Sequence, residues 1–192
     1  YNTLSEEEVR TLYAGYYGNI AFIDMQVARL LEKALAQRNT YVIFTSDHGE
    51  MLGDHYLMQK NRPYQGAVHI PFLIMGPDIP DSQSIGVPIG WHDIMPTILD
   101  LAGLKIPDSV DGQSLVPLLF GDKPSQPWRE YIHGECTHDF LFDAKTKPVS
   151  DKHNFIYEKG THFLTDGKSK YIWYDTSGKE QLFHLDDDYG EL

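Results

Sequence analysis

Tyr41-Val42-Ile43-Phe44-Thr45-Ser46-Asp47-His48-Gly49-Glu50-Met51-Leu52-Gly53-Asp54-His55-Tyr56-Leu57-Met58-Gln59-Lys60 is the stretch that decides how this chain is read. It starts as a short apolar, β-branched run, Tyr41–Thr45. It then breaks into a polar cluster holding Asp47, His48, Glu50, Asp54, His55 and Lys60. A short run of this kind, ended by turn residues, reads as a buried strand of a parallel sheet. Ligands of open α/β sheets bind in the crevice beyond the carboxyl ends of the strands, where Asp47 and His48 fall. A hard carboxylate oxygen beside an imidazole, on a backbone freed by Gly49, can form half of a divalent-metal site. Lys60, 13 positions after Asp47, can return to the same crevice as a positive charge for an anionic substrate. Asp, His and Gly are also ordinary turn residues, and Asp47 is equally suited to capping a helix. Composition and spacing leave both readings standing.

On the N-terminal side, Ser5-Glu6-Glu7-Glu8 is a helix start. Ser5 can cap, Glu8 can close a capping box, and three carboxylates suit the positive end of the helix dipole. Val9, Leu12, Tyr13, Tyr16, Ile20, Ile23, Val27, Leu30, Leu31 and Leu35 recur at helical spacing, which predicts a helix ending near Gln37–Asn39. Gly15 and Gly18 predict a bend in its middle. Asp24 reads as a side chain at the edge of the apolar stripe. A helix leading into a strand through a short loop argues for a parallel α/β sheet.

On the C-terminal side, Ile70–Met75 reads as a second buried strand closed by Gly76-Pro77-Asp78. Ser82–Gly90 reads as loop or edge strand. Ile94–Ala102 is a predicted helix, with Asp93 as its cap, His92 as an exposed loop residue and Gly103 as its stop. Ser114–Phe120 is a short helix ended by Gly121. Four prolines between residues 105 and 128 mark a linker to a smaller unit. Arg129–Glu135 can form a strand, and Thr137–Asn154 is a polar loop. His162–Thr165, Lys170–Tyr174 and Gln181–His184, joined by Asp166-Gly167 and Asp175-Thr176-Ser177-Gly178, predict a small antiparallel meander. Its aromatics Phe163, Tyr171, Trp173 and Phe183 read as packing rather than as a carbohydrate platform.

The 192 residues suffice for one domain with a real core, or a main domain plus a small one. A net charge of −12 argues against general nucleic-acid binding, which needs a basic face. No stretch reaches the ~20 apolar residues of a membrane helix. The single cysteine, Cys136, excludes an intrachain disulfide and leaves the compartment undecided. The chain opens at Tyr1 rather than Met, as expected for a processed product or an excised piece.

Thr45-Ser46-Asp47-His48-Gly49-Glu50-x-Leu52-Gly53-x-His55, then Lys60, His69-Ile70-Pro71-Phe72-Leu73-Ile74 and Gly76-Pro77, resembles the sulfatase family of the alkaline phosphatase superfamily. Asp93–Gly103, Asp111-Gly112-Gln113-Ser114-Leu115, Tyr171-Ile172-Trp173-Tyr174 and Glu180-Gln181-Leu182-Phe183 resemble its later landmarks in order and spacing. The resemblance implies an α/β fold: part of an alkaline-phosphatase-like sheet with flanking helices, plus a small C-terminal antiparallel β-unit. Residues 1–121 would be the C-terminal part of the catalytic α/β domain, and residues 129–192 the antiparallel subdomain.

The same resemblance implies metal-assisted hydrolysis of sulfate monoesters. Asp47 and His48 would be metal ligands, and the metal would be calcium. Lys60 would contact the sulfate oxygens, and His55 would be a catalytic or substrate contact. The family's nucleophile is a formylglycine made within a Cys/Ser-x-Pro-x-Arg motif. Cys136 stands in Gly-Glu-Cys-Thr-His-Asp and does not fit it, and no serine is expected in that motif either. The formylglycine and the paired aspartates that complete the metal site are expected in an N-terminal part, so this chain alone is expected to be inactive. An exposed sheet edge makes self-association an expectation. A phosphonate or phosphodiester hydrolase of the same superfamily, and a non-catalytic binding or assembly module, are the alternative readings.

Overall fold

The computed structural model describes residues 5–37, 39–124, 126–137 and 160–192. Most of the loop read at Thr137–Asn154 lies outside them. Helix α1 runs unbroken from Glu6 to Leu35. Ser5 Oγ accepts from Glu8 N at 3.3 Å, while Ser5 N donates to Glu8 Oε2 at 2.7 Å, the predicted capping box. The helix continues without a break through Gly15 and Gly18, where a bend was expected. No α1 residue is buried, Asp24 included. Tyr17, Phe22, Met25 and Leu30 are among its large apolar side chains left facing outward. No described helix is long and apolar enough to cross a membrane.

Strand β1 (Val42–Thr45) pairs with β2 (Phe72–Met75), Val42 opposite Met75 and Thr45 opposite Phe72. The pair is antiparallel, which corrects the expected parallel arrangement. A parallel neighbour needs a long crossover, usually a helix. Here residues 46–71 instead fold back on themselves. They hold left-handed Leu52, Gly53, His55, Tyr56, Gln59 and Asn61, a short 3-10 turn at Asp54–Tyr56 and a single α-helical turn, α2 (Gln65–Val68).

A turn at Trp91–Asp93 leads into α3 (Ile94–Leu101), which stops where Gly103 takes φ +68°. Residues 82–90 form no strand. Helix α4 (Val116–Leu119) follows. Strands β3 (Ile132–Thr137), β4 (Gly160–Thr165), β5 (Ser169–Tyr174) and β6 (Glu180–His184) form an antiparallel sheet in sequential order, the predicted meander.

The period of two splits the sheet's aromatics. Phe163 and Phe183 belong to a core that also takes in Met51, Tyr64, Ala67, Ile172 and Leu185. Tyr171 and Trp173 stand on the opposite face and remain more than a third exposed, against the expectation that all four would pack. The core thus draws on both the loop after β1 and the four-stranded sheet. A buried ion pair reinforces that junction. Lys170 Nζ lies 2.7 Å from Glu191 Oε1 and also donates to Gln65 Oε1 (2.6 Å) and Pro63 O (3.0 Å). Glu191 Oε2 accepts from Gln65 N at 2.6 Å. Burial pulls the Lys170 pKa down, and Glu191 opposes that pull.

Candidate functional site

Asp47 and His48 leave the end of β1 together. Ser46 Oγ donates to the His48 carbonyl at 2.7 Å, and His48 N donates to Asp47 Oδ1 at 3.0 Å. That backbone donor is the chief cause holding the Asp47 carboxyl below its usual range, so the group is ionised at neutral pH. The His48 ring is oriented by its own neighbour. Nδ1 lies 2.8 Å from the Gly49 carbonyl, which can only accept, so Nδ1 carries a proton. In the neutral ring the Nε2 lone pair then faces Asp47 Oδ2 at 3.4 Å. Two acceptors converging in this way call for a positive charge between or beside them. A proton on His48 meets that need, and so does a divalent cation with one oxygen and one nitrogen donor. The residues therefore fit two ligands of a metal site.

The loop that carries them is tightly specified. A Cβ on Gly49 would lie 2.1 Å from Gly66 O, so only glycine lets the loop rest on α2. Gly49 N donates to Ala67 O at 2.8 Å. Glu50 Oε1 accepts from Leu52 N (3.1 Å) and from Gln59 N, closing the polar turn from inside. Lys60 sits exposed between left-handed Gln59 (φ 67°) and Asn61 (φ 68°). Non-glycine residues hold that conformation at a cost of ~1–2 kcal/mol each, which other contacts must offset.

His55 occupies a different place. Its Nε2 donates to Gly190 O at 3.0 Å, and its ring stacks on Tyr64 with centroids 3.9 Å apart. It lines a cavity of about 180 Å³ with His69, Tyr189 and Glu191, and none of Asp47, His48 or Lys60 lines that cavity. The contacts of His55 are those of a side chain that seats residues 189–191 against the loop.

Asp93 differs from its expected role as a cap of α3. It is fully buried, and its side chain makes no capping bond to that helix. It accepts instead from Gly90 N (2.9 Å), Gln113 N (2.9 Å) and both guanidinium nitrogens of Arg129. Burial raises its pKa, but Arg129 and the two backbone donors outweigh it, and the net shift is downward. Next to it, Trp91 Nε1 donates to Asp47 O at 3.2 Å, so this anchor reaches the Asp47–His48 loop. His92 is exposed, as expected. Trp91 and Arg129 were invisible as site-positioning residues because their partners lie 44 and 36 positions away.

Burial raises the Cys136 thiol pKa, although Arg62 opposes it, which suits an inert thiol rather than a nucleophile. Ser125-Gln126-Pro127-Trp128-Arg129 does have the Ser-x-Pro-x-Arg spacing, a correction to the expectation that no such segment occurs. Ser125 lies outside the described residues. Arg129 is engaged with Asp93, and Trp128 Nε1 donates to Pro88 O at 3.0 Å, so both side chains tie loops together.

Comparison with known proteins identifies the family. Residues 1–104 match the family model described as Sulfatase, and residues 53–188 match N-sulphoglucosamine sulphohydrolase, C-terminal. The Ser125–Arg129 segment falls outside the first of these. An arylsulfatase of Clostridium perfringens is 36% identical over 197 residues, covering 98% of this chain and 37% of that protein. Arylsulfatase K of Xenopus laevis is 35% identical over 194 residues, covering 98% and 34%. The chain thus spans little more than a third of the length of the relatives it matches. The phosphonate monoester hydrolase of Agrobacterium radiobacter is 30% identical with a TM-score of 0.79, covering 98% of this chain and 38% of that one. A 2-O GAG sulfatase at 24% identity shares the fold with a TM-score of 0.78, covering 97% and 39%. Since the Sulfatase model takes in more than half of the chain and the N-sulphoglucosamine sulphohydrolase C-terminal model most of the remainder, the chain belongs to the sulfatase family and corresponds to its C-terminal portion.

Proposed function

We propose that Asp47, His48 and Lys60 form one corner of a sulfuric ester hydrolase that cleaves sulfate monoesters. The observation that carries this is the convergence of Asp47 Oδ2 and His48 Nε2 at 3.4 Å, with Nδ1 committed to a carbonyl. A divalent cation, when bound, supplies charge that polarises oxygen at the reacting group. Asp47 and His48 would hold it, calcium being the ion that family resemblance implies. Lys60 would neutralise charge on the sulfate oxygens, where a fixed cation lowers the barrier most. His55 would act on substrate only indirectly, by positioning this loop. The chain supplies two donors for a cation that takes ~6–8 oxygens, so alone it is expected to bind metal weakly and to turn nothing over. Residues 1–121 would complete a catalytic α/β domain, and residues 129–192 would form its antiparallel subdomain.

The test uses the native gene product that carries this sequence, assayed on aryl sulfate and aryl phosphonate esters. Asp47→Ala and Lys60→Ala should each lower kcat/KM on the sulfate by about 10²–10³-fold, the usual loss for a transition-state charge contact. Chelation followed by return of Ca2+, Mn2+ or Zn2+ identifies the ion. Unchanged sulfate turnover in both variants would sink the proposal. Likeness to a phosphonate monoester hydrolase at 30% identity supports the second reading, and a preference for the phosphonate ester would establish it. Self-association through the β1–β2 pair is supported by exposed Phe44, Leu73 and Met75, and sedimentation of the same protein tests it.

A further inference from the structure

We propose that His133, Glu135 and His162 form a second metal site, for a dication of the Zn2+ class, that clips β3 to β4 on the outer face of the four-stranded sheet. This is independent of the sulfatase reading and shares no residue with the Asp47–His48 corner.

The pairing register creates the cluster. Glu135 stands directly opposite His162, and His133 lies two residues before Glu135 on the same face of β3. His133 Nε2 is 3.3 Å from His162 Nδ1, and His162 Nδ1 is 3.8 Å from Glu135 Oε2. All three donor atoms lie within 4.8 Å of one another. Zinc–nitrogen bonds of about 2.0–2.1 Å at the tetrahedral angle put two ligand nitrogens about 3.3–3.4 Å apart. The two histidines are therefore already at the separation that such an ion imposes. Their rings, tilted by only 10°, bring two nitrogens within hydrogen-bond distance. A cation at this point would be held by both nitrogens and the carboxylate.

The surroundings point the same way. A Cβ placed on Gly160 would lie 3.0 Å from Asp175 Oδ2 and 3.6 Å from His162 Nε2, and Asp175 Oδ1 accepts from Gly160 N at 2.9 Å, so this carboxylate is fixed near the edge of the cluster. Trp173 flanks the His162 ring at 5.4 Å and 28°, restricting its rotation. Two nitrogens and one carboxylate oxygen suit zinc and its neighbours better than calcium, whose shell is dominated by oxygen. His133 and Glu135 are exposed, so ions can enter and a water can complete the coordination. Among the described residues this is the one such group of three.

The experiment titrates Zn2+, and Co2+ as a spectroscopic probe, into the chelator-treated native gene product. One Zn2+ per chain should survive in the Asp47→Ala/His48→Ala variant. Affinity for that ion should fall by about 100-fold or more in His162→Ala and about 10-fold or more in Glu135→Gln, which preserves shape. Circular dichroism reports the fold of each variant. Zn2+ binding that is absent in the parent, unchanged in both His162→Ala and Glu135→Gln, or lost only with Asp47 and His48 would overturn the proposal.

Discussion

Replacing Lys170 by Met tests how the loop after β1 is held to the four-stranded sheet. Methionine keeps the unbranched stem and removes the ammonium with its three partners, Glu191, Gln65 and Pro63. Glu191 is 2% exposed, so its carboxylate cannot turn to water and keeps only the Gln65 N–H. Charges 2.7 Å apart attract by about 6 kcal/mol at an effective dielectric of about 20. Desolvation takes back much of this in the intact pair, but leaving one buried charge alone costs about 3–5 kcal/mol. That is a large part of the roughly 5–15 kcal/mol that stabilises a typical domain. Urea unfolding, followed by the fluorescence of Trp91, Trp128 and Trp173, should show the midpoint falling by a corresponding amount with little change in slope. The double variant Lys170→Met/Glu191→Met should recover most of the loss, because apolar replacement of both partners is close to neutral. A loss under about 1 kcal/mol in the single variant, or a double variant no more stable than the single, would refute this account.

Three further outcomes are expected. The Asp93 carboxyl titrates lower when folded than the unfolded value of about 3.9, so its contribution is present above that pH and lost as pH falls through the folded value. Asp93→Asn should flatten that acid limb and lower stability near neutrality by about 1.5–3 kcal/mol, as chemical denaturation across pH would show. Gly49→Ala should destabilise the protein by about 1–3 kcal/mol, because its Cβ would collide with Gly66 O; an alanine variant of native stability would mean that the loop and α2 separate easily. Gly15→Ala and Gly18→Ala should each stabilise by about 0.5–1 kcal/mol, since nothing lies within 4 Å of either Cβ, and a fall in thermal midpoint would show that these positions are covered.

Features set by neighbours in sequence were legible. The α1 cap, the stop at Gly103 and the Asp-Gly turn of the meander depend on residues a few positions apart, and each stands where its residues predict. The pairing of Asp47 with His48 was legible for the same reason. The direction of β2 was not, because it depends on how residues 46–71 turn back, and left-handed Leu52, His55 and Gln59 carry no glycine signal. Lys170 gave no warning of burial. In Lys170-Tyr171-Ile172-Trp173-Tyr174 both alternating faces are largely apolar, so pattern alone cannot choose the inward one. Tyr171 and Trp173 were misjudged for that reason. The placement of His55 against Gly190 was not legible either, because it depends on a left-handed turn at a non-glycine residue.

The bond from Gln65 N to Glu191 spans 126 positions. A polypeptide emerges from the ribosome in order, so Gln65 leaves long before its acceptor exists. Until then the α2 turn, the shelf on which the Gly49 loop rests, lacks its distant tether. The Asp47–His48 corner would therefore reach its final shape only after the whole meander has been synthesised and docked. A nascent chain stalled before residue 191 would leave this corner unfinished, and mistakes in translation late in the message would be felt at residues encoded early.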